Sequence, residues 1–186
     1  MSDSPDDVTR DNITPDEKDW TWVLERICPE CEIDIRTFPV DTVGDLIREN
    51  AREWSHDLSH SAVPTERPRP DKWSLLEYSA HVRDVYRLYL FRLELMLNED
   101  GPSYPNWDQD ETALAERYNE QDPNIVRVEL ESAGDALAAR FDEVSGDEWS
   151  RTGYRSDGAE FTVETFARYL LHDPVHHLWD VRSDAR

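Results

Sequence analysis

The residues of this chain best suited to chemistry lie in two histidine-bearing segments that are far apart in the sequence. The first runs from Trp73 to His81, and the second, from His172 to Asp180, contains three histidines and two aspartates. Both segments place apolar residues at helical spacing, so packing the two predicted helices together would gather imidazoles and carboxylates. Helix bundles build metal sites from ligands on facing helices, and this pattern therefore predicts a divalent metal site.

The second segment offers two pairs of ligands at i and i+4. Asp173 with His177 lies closest to the apolar stripe of the helix, whereas His172 with His176 lies on a neighbouring row with charged residues that are more typical of solvent or of a second shell. The helical phase favours Asp173 and His177, and His172 with His176 is the alternative metal register. Pro174 can kink the helix and change which residues face inward.

The other histidines differ in the face that they occupy. His81 shares a stripe with Tyr78 and Val85, so it is expected to point inward and to need a polar partner there. His56 and His60 project away from the apolar stripe of their helix and are expected to be solvated. Hydrogen bonds alone could also satisfy the inward-facing imidazoles, so a purely structural cluster remains open.

The two cysteines form one Cys-x-x-Cys motif, Cys28 and Cys31. This spacing suits a redox pair or half of a zinc site, but no second cysteine pair exists to complete four ligands. The simplest interpretation is two reduced thiols in a surface turn. A mixed ligand set with a histidine is left open.

Helical periodicity predicts an all-α fold of four long helices behind an irregular N-terminal segment. The boundary is placed at residue 43, so that residues 1–42 form an acidic, largely irregular segment and residues 43–186 form a four-helix bundle. Residues 1–20 are expected to be mobile. The predicted helices cover 43–58 behind Thr42, 74–97 behind a capping box of Ser74 and Glu77, a short piece at 111–118, 123–144, and a final helix from Thr162. A small hairpin is expected within 146–159.

The charge balance excludes two classes of partner. The 186 residues include 42 Asp and Glu against 20 Lys and Arg, a net charge of −22 that would repel phosphate backbones and anionic lipid headgroups. Nucleic acid and membranes are therefore not expected as partners. The chain lacks an apolar run of the roughly 18 residues that span a bilayer and a recognisable signal peptide, so a cytoplasmic protein is expected.

The two segments resemble the DinB-like superfamily, which includes thiol-dependent enzymes such as the mycothiol-dependent maleylpyruvate isomerases. Trp73 and Ser74, with His81 eight positions after the tryptophan, match the start of the second helix in that family. On the last helix, the family's two ligand positions correspond to Asp173 and His177, followed by Asp180 three residues on. The resemblance covers about residues 43–181 and implies a four-helix bundle of up-down-down-up type.

The resemblance also implies a function. A zinc ion, or nickel as the alternative, would activate a low-molecular-weight thiol co-substrate of the mycothiol type in an S-transferase or isomerase acting on small electrophiles. Glu77, Asp84 and Asp180 are the candidates for second-shell groups or proton acceptors, and no catalytic residue is assigned. Two alternatives remain open: a metal-dependent hydrolase, and a non-catalytic, metal-stabilised bundle that binds a small molecule or a protein partner. A small-molecule substrate is expected, and a homodimer is left open.

Overall fold

A computed structural model describes residue 13 and residues 19–184. Five α-helices carry the fold: α1 (Val43–His60), α2 (Leu75–Asn98), α3 (Gln109–Ala115), α4 (Pro123–Asp142) and α5 (Val163–Asp184). Four of them are long and form the predicted four-helix bundle, which is confirmed. The short α3 lies between α2 and α4, close to the short helical piece that the sequence predicts. The expected mobility of residues 1–20 concerns a region that lies almost entirely outside the described residues.

The bundle does not pair helices in the order of the sequence. Helix α4 packs along both α1 and α2, while α1 and α2 touch each other little. The proline-rich link at 61–74 is long enough to carry the chain across the bundle. Gly134 allows this close packing, because a Cβ at this position of α4 would lie 2.8 Å from the Cβ of Ala51 on α1. The apolar stripes of all four long helices therefore meet in one core.

A small sheet covers the end of the bundle where α2 ends and α5 begins. Strands β2 (Thr152–Arg155) and β3 (Glu160–Thr162) form a hairpin, whose second strand lies just beyond the predicted range of 146–159, and β1 (Ser103–Tyr104) adds a third strand parallel to β2. With two residues, β1 is too short to show the alternation by which a sequence predicts a strand. The hairpin leads directly into α5, whose first turn is capped where the Oγ1 of Thr162 accepts from the backbone N of Thr165 at 3.1 Å.

The two other predicted helix caps have different outcomes. The capping box is confirmed: the Ser74 Oγ accepts from the backbone N of Glu77, and the Glu77 carboxylate accepts from the backbone N of Ser74. The expectation that Thr42 caps α1 is wrong. Thr42 closes a 3₁₀ turn and its hydroxyl donates to the carbonyl of Pro39, so its side chain is not available to α1.

The N-terminal segment lies against α5. From residue 19 onwards, where the structure describes this segment continuously, its regular parts are three short 3₁₀ turns, Trp20–Leu24, Ile35–Thr37 and Val40–Thr42. Arg168 of α5 holds the segment by donating to the carbonyls of Ile35 and Phe38, both at 2.8 Å. Val23, Cys28 and Ile35 are each 1% exposed, so the segment contributes to the buried interior although it is irregular.

None of the helices within the described ranges combines the length and the apolar character that crossing a bilayer requires.

The capping box of α2 yields a first prediction. Ser74→Ala removes a fully buried hydroxyl that accepts from the backbone of Glu77 and donates to Asn119, and should lower the free energy of unfolding by about 1–2 kcal/mol in urea denaturation. Ser59→Ala is the matched control, because its hydroxyl is exposed on α1 and bonds only its own helix, and it should change stability by less than about 0.5 kcal/mol. Equal shifts in the two variants would contradict the assignment.

Candidate metal centre

Helix α2 supplies His81 to the interior of the bundle. Its side chain is fully buried, with the Trp107 ring stacked on the imidazole at 5.3 Å between centroids and Trp73 at 5.3 Å on another side. The Nε2 atom faces the Oδ1 of Asp173 at 3.3 Å, and Nδ1 has no hydrogen-bond partner among the described residues. The stripe that the sequence shows for His81 thus corresponds to a buried imidazole with one unused nitrogen.

Helix α5 presents Asp173 and His177 to the same point. The rotation of α5 is set by the carbonyl of Pro174, which accepts from the Trp54 indole at 3.1 Å and from the Asn50 amide at 3.4 Å. The helix continues through Pro174, and Asp173 and His177 on either side of this proline both face His81. His81, Asp173 and His177 each offer one ligand atom, and these atoms lie within 4.8 Å of one another.

The distances within this group are compatible with a shared ion. The His81 Nε2 lies 3.3 Å from the Asp173 Oδ1, and the His177 Nε2 lies 3.9 Å from the Asp173 Oδ2. Two ligand atoms that each lie about 2.0–2.2 Å from one tetrahedral ion are about 3.3–3.6 Å apart. The site is therefore close to ligand spacing.

A further carboxylate orients His177. Asp180 lies one turn along α5, with Oδ2 at 3.4 Å from the Nδ1 of His177 and Oδ1 at 3.2 Å from the Nζ of Lys72. Burial raises the pKa of Asp180, but the His177 hydrogen bond and the Lys72 charge outweigh burial and bring it down to about 2. A carboxylate behind a histidine fixes the ring and makes it a better metal ligand.

Asp173 is also held as a carboxylate. Desolvation raises its pKa, and the imidazoles of His81 and His177 more than offset that effect, so the net pKa lies well below the ordinary value. Its side chain is still 31% exposed and faces an open cleft. The group that joins the two histidines is therefore anionic at neutral pH and accessible from solvent.

Three acidic residues, Glu77, Asp84 and Asp180, were predicted to support the metal ligands or to accept protons. Only Asp180 lies beside the predicted ligands. Glu77 is buried, where it caps α2 and forms an ion pair with Arg67. Asp84 pairs with Arg83 and accepts from the Tyr118 hydroxyl. Acidic side chains of this chain meet arginines in many places, and sequence spacing alone could not separate those structural pairs from a metal-site carboxylate.

The neighbouring row of α5 is not solvated, contrary to the expectation for His172 and His176. These residues are 4% and 5% exposed, because the N-terminal segment covers them. Cys28 is also buried, so the simple interpretation of the two cysteines as surface thiols is wrong for Cys28. Burial lowers the pKa of His172 to about 4, while it raises that of Cys31 to about 12. The contact between the N-terminal segment and this row could not be predicted from the sequence, because the segment is irregular.

A cleft of about 580 Å³ opens in front of Asp173 and His177. Its walls include apolar and aromatic side chains of α2 and α5, two arginines and the acidic start of α3; representative residues are Val85, Tyr89, Arg92, Trp107, Arg155 and Tyr169. Tyr169 thus lines the cleft. Tyr78 lies against His177 with centroids 5.0 Å apart, and Trp179 lies on the outer side of α5 beside His176.

The fold is shared with two solved structures of low sequence identity. YfiT from Bacillus subtilis, described as a probable metal-dependent hydrolase with an unusual four-helix bundle topology, superposes with a TM-score of 0.69 over 77% of this chain and 86% of that chain, at 16% identity. A mutant of a mycothiol-dependent maleylpyruvate isomerase superposes with a TM-score of 0.61 over 81% of this chain and 62% of that chain, at 19% identity. At these identities the likeness shows the fold alone.

The sequence comparisons give a family. No curated protein has a sequence that matches this chain significantly. The sequence model of the DinB superfamily matches residues 44–181, which include α1 almost completely, His81 and both ligand pairs of α5. Because this match spans most of the chain and agrees with the four-helix bundle, the protein belongs to the DinB superfamily.

Proposed function

We propose that this protein is a metal-dependent enzyme that activates a small thiol for attack on an electrophile bound in the cleft. The observation that carries the proposal is the convergence of His81 with Asp173 and His177, two residues of α5 that line a cleft of about 580 Å³. Their donors are two imidazole nitrogens and one carboxylate oxygen, a set that suits zinc and also nickel.

The residues fit an ion with an open coordination position. Three protein ligands are typical of catalytic zinc sites, whereas structural sites have four. Asp173 is the ligand exposed to the cleft, so a fourth ligand would enter from that side. An ion held there would lower the pKa of a thiol or a water molecule that joins it, and so supply a nucleophile near neutral pH.

The protein side chains prepare this position in three ways. His81 is packed between Trp73 and Trp107, so its ring has little freedom to turn. Asp180 orients His177 through Nδ1 and leaves Nε2 directed at Asp173. The apolar and aromatic part of the cleft wall, which includes Val85, Tyr89 and Trp107, offers a surface for the carbon skeleton of a substrate. A small thiol and an electrophile would meet in this space.

Arg92 suggests a class of electrophile. It lies in the wall of the cleft, 4% exposed, and donates from Nη2 to the carbonyl of Pro105 at 2.7 Å, while its Nε has no hydrogen-bond partner within the described part of the chain. Burial lowers its pKa, and no described carboxylate pairs with it. A guanidinium in this state is stabilised by an anionic ligand. We therefore infer that the substrate carries a carboxylate or a similar group.

The relatives support two versions of the reaction. A thiol co-substrate agrees with the name of the mycothiol-dependent isomerase, and water as the nucleophile agrees with the description of YfiT as a probable hydrolase. We place thiol activation first, since the cleft is large enough to hold two small molecules together. Hydrolysis by activated water is the second candidate, because the same three ligands would also lower the pKa of water.

The metal content of purified variants tests the site. His81→Ala and His177→Ala should each contain one ion per chain fewer than the wild type, as measured by elemental analysis of untagged protein. His60→Ala is the matched control: this exposed histidine belongs to neither ligand group found among the described residues, and its loss should leave the metal content unchanged. Unchanged metal content in both site variants would exclude this metal centre.

Thiol dependence distinguishes the two reactions. With metal-loaded protein at pH 7, the rate of chlorodinitrobenzene conversion with mycothiol, bacillithiol or glutathione should exceed the uncatalysed rate by at least about tenfold for one of them, since lowering a thiol pKa from about 8.5 to 7 gives that gain in thiolate alone. His177→Ala should abolish the increase. Turnover of an ester or amide without any thiol, and no increase with thiols, would instead favour the hydrolase.

The inferred role of Arg92 predicts a selective change in KM. Arg92→Gln should raise KM for a carboxylate-bearing electrophile about 10–100-fold, the value of a hydrogen bond to a charged group, and leave KM for neutral chlorodinitrobenzene within about twofold. Arg87→Gln, one turn earlier on α2 and outside the cleft, should change neither value. Similar increases for both electrophiles in Arg92→Gln would show a general structural effect and contradict anion recognition.

A further inference from the structure

Four side chains other than the three proposed catalytic ligands form a second cluster of metal-ligand type. Cys28 and Cys31 of the N-terminal segment face His172 and His176 of α5, and their four ligand atoms lie within 4.8 Å of one another. The Cys28 Sγ is 3.7 Å from the His176 Nδ1, and the Cys31 Sγ is 3.8 Å from the His172 Nε2. Each sulfur is thus aimed at one imidazole.

We infer that these four residues bind a structural zinc ion, separate from the ion of the cleft. Two cysteines and two histidines are a standard ligand set of structural zinc sites, with Cys-x-x-Cys spacing on one side and His-x-x-x-His on the other. In a tetrahedral site with Zn–S of about 2.3 Å and Zn–N of about 2.0–2.1 Å, sulfur and nitrogen are about 3.5–3.6 Å apart. The two observed separations are close to this value.

The backbone around the cysteines forms a closed turn that presents both sulfurs to one side. The backbone N of Glu32 donates to the carbonyl of Cys28 at 2.9 Å, and the backbone N of Cys28 donates to the carbonyl of Ile33 at 3.2 Å. Glu32 has a backbone φ of +57°, a conformation that residues other than glycine adopt only at a cost in free energy. Glu32 directly follows Cys31, so this backbone conformation occurs at the point where the Cys31 thiol faces His172 of α5.

The surroundings of His176 match those of a metal-bound imidazole. Its Nδ1 faces Cys28, and its Nε2 lies 3.5 Å from a carboxylate oxygen of Glu30 and 3.7 Å from one of Asp180. A metal-ligating histidine usually directs its second nitrogen at such an acceptor. Trp20 covers the imidazoles of both His172 and His176, with centroid distances of 5.2 and 5.0 Å.

The four ligands assign this site a structural role. They would complete a tetrahedron and leave no position for a substrate, unlike the three ligands of the cleft. The ion would join the irregular N-terminal segment to the last helix, next to the tethers that Arg168 makes. It would also occupy His172 and His176, so the two registers of α5 would serve two different sites.

A redox pair is the competing interpretation of the same cysteines. A catalytic dithiol requires one sulfur that is accessible to a partner disulfide, but Cys28 is 1% exposed and Cys31 is only partly exposed. The placement of a histidine opposite each sulfur is instead what a four-ligand site needs.

Cobalt substitution of the full chain tests the inference and separates it from the catalytic ion. Wild-type protein refolded with Co²⁺ should bind two ions per chain and show a sulfur-to-cobalt charge-transfer band together with the visible bands of a tetrahedral ion. Cys28→Ser/Cys31→Ser should bind one ion and lose the charge-transfer band. His81→Ala should also bind one ion but retain that band, so failure of either site is recognised independently of the other.

A control variant and the wild-type spectrum together make the result decisive. His56→Ala/His60→Ala removes a pair of histidines with the same i and i+4 spacing on the surface of α1, and should retain both ions and the full spectrum. If the cysteine variant does not fold, the wild-type spectrum still decides, because only thiolate ligands give the charge-transfer band. Absence of that band in folded wild-type protein with Co²⁺, or a disulfide between Cys28 and Cys31 in protein purified without oxidant, would overturn the inference.

Discussion

The hydrogen bonds that Trp54 and Asn50 donate to the carbonyl of Pro174 fix the rotation of α5, and all of the candidate chemistry depends on that rotation. Asn50 is itself held by the Tyr86 hydroxyl of α2 at 2.7 Å, so two helices of the bundle take part. These groups are buried, and breaking one of the bonds would leave a polar atom unsatisfied in the core. The rotation of the last helix is therefore enforced by polar groups as well as by apolar packing.

With the rotation fixed, helix geometry assigns the histidines. Successive residues of an α-helix are 100° apart, so Asp173 and His177 share one row and His172 and His176 share the next. The first row meets His81 from α2, while the second meets the cysteines of the N-terminal segment, and both rows contribute to the wall of the cleft. One turn and a half of helix thus presents two i and i+4 pairs in two directions, and under our proposals the two pairs serve two ions.

The sequence predicts the bundle and the cleft-facing group because both depend on local periodicity. The apolar stripe that includes His81 and the row of Asp173 and His177 are properties of single helices, and the family pattern agrees with them. The orientation of Cys28 and Cys31 towards α5 could not be predicted in this way. It depends on how an irregular segment packs against a helix about 140 residues away, and no periodicity records such a contact. Thr42 shows the same limit on a small scale. Its hydroxyl donates to the carbonyl of Pro39 in the preceding 3₁₀ turn, so it does not cap α1 as the sequence predicts.

Asp180 connects the two rows. Its carboxylate lies within 3.4 Å of His177 and 3.7 Å of His176, and the ammonium group of Lys72 balances its charge. Any substitution at position 180 therefore changes the surroundings of both His176 and His177. In evolutionary terms this residue would tie the two proposed sites into a single unit of selection, because a mutation there that adapts one of them to a new task would also alter the other.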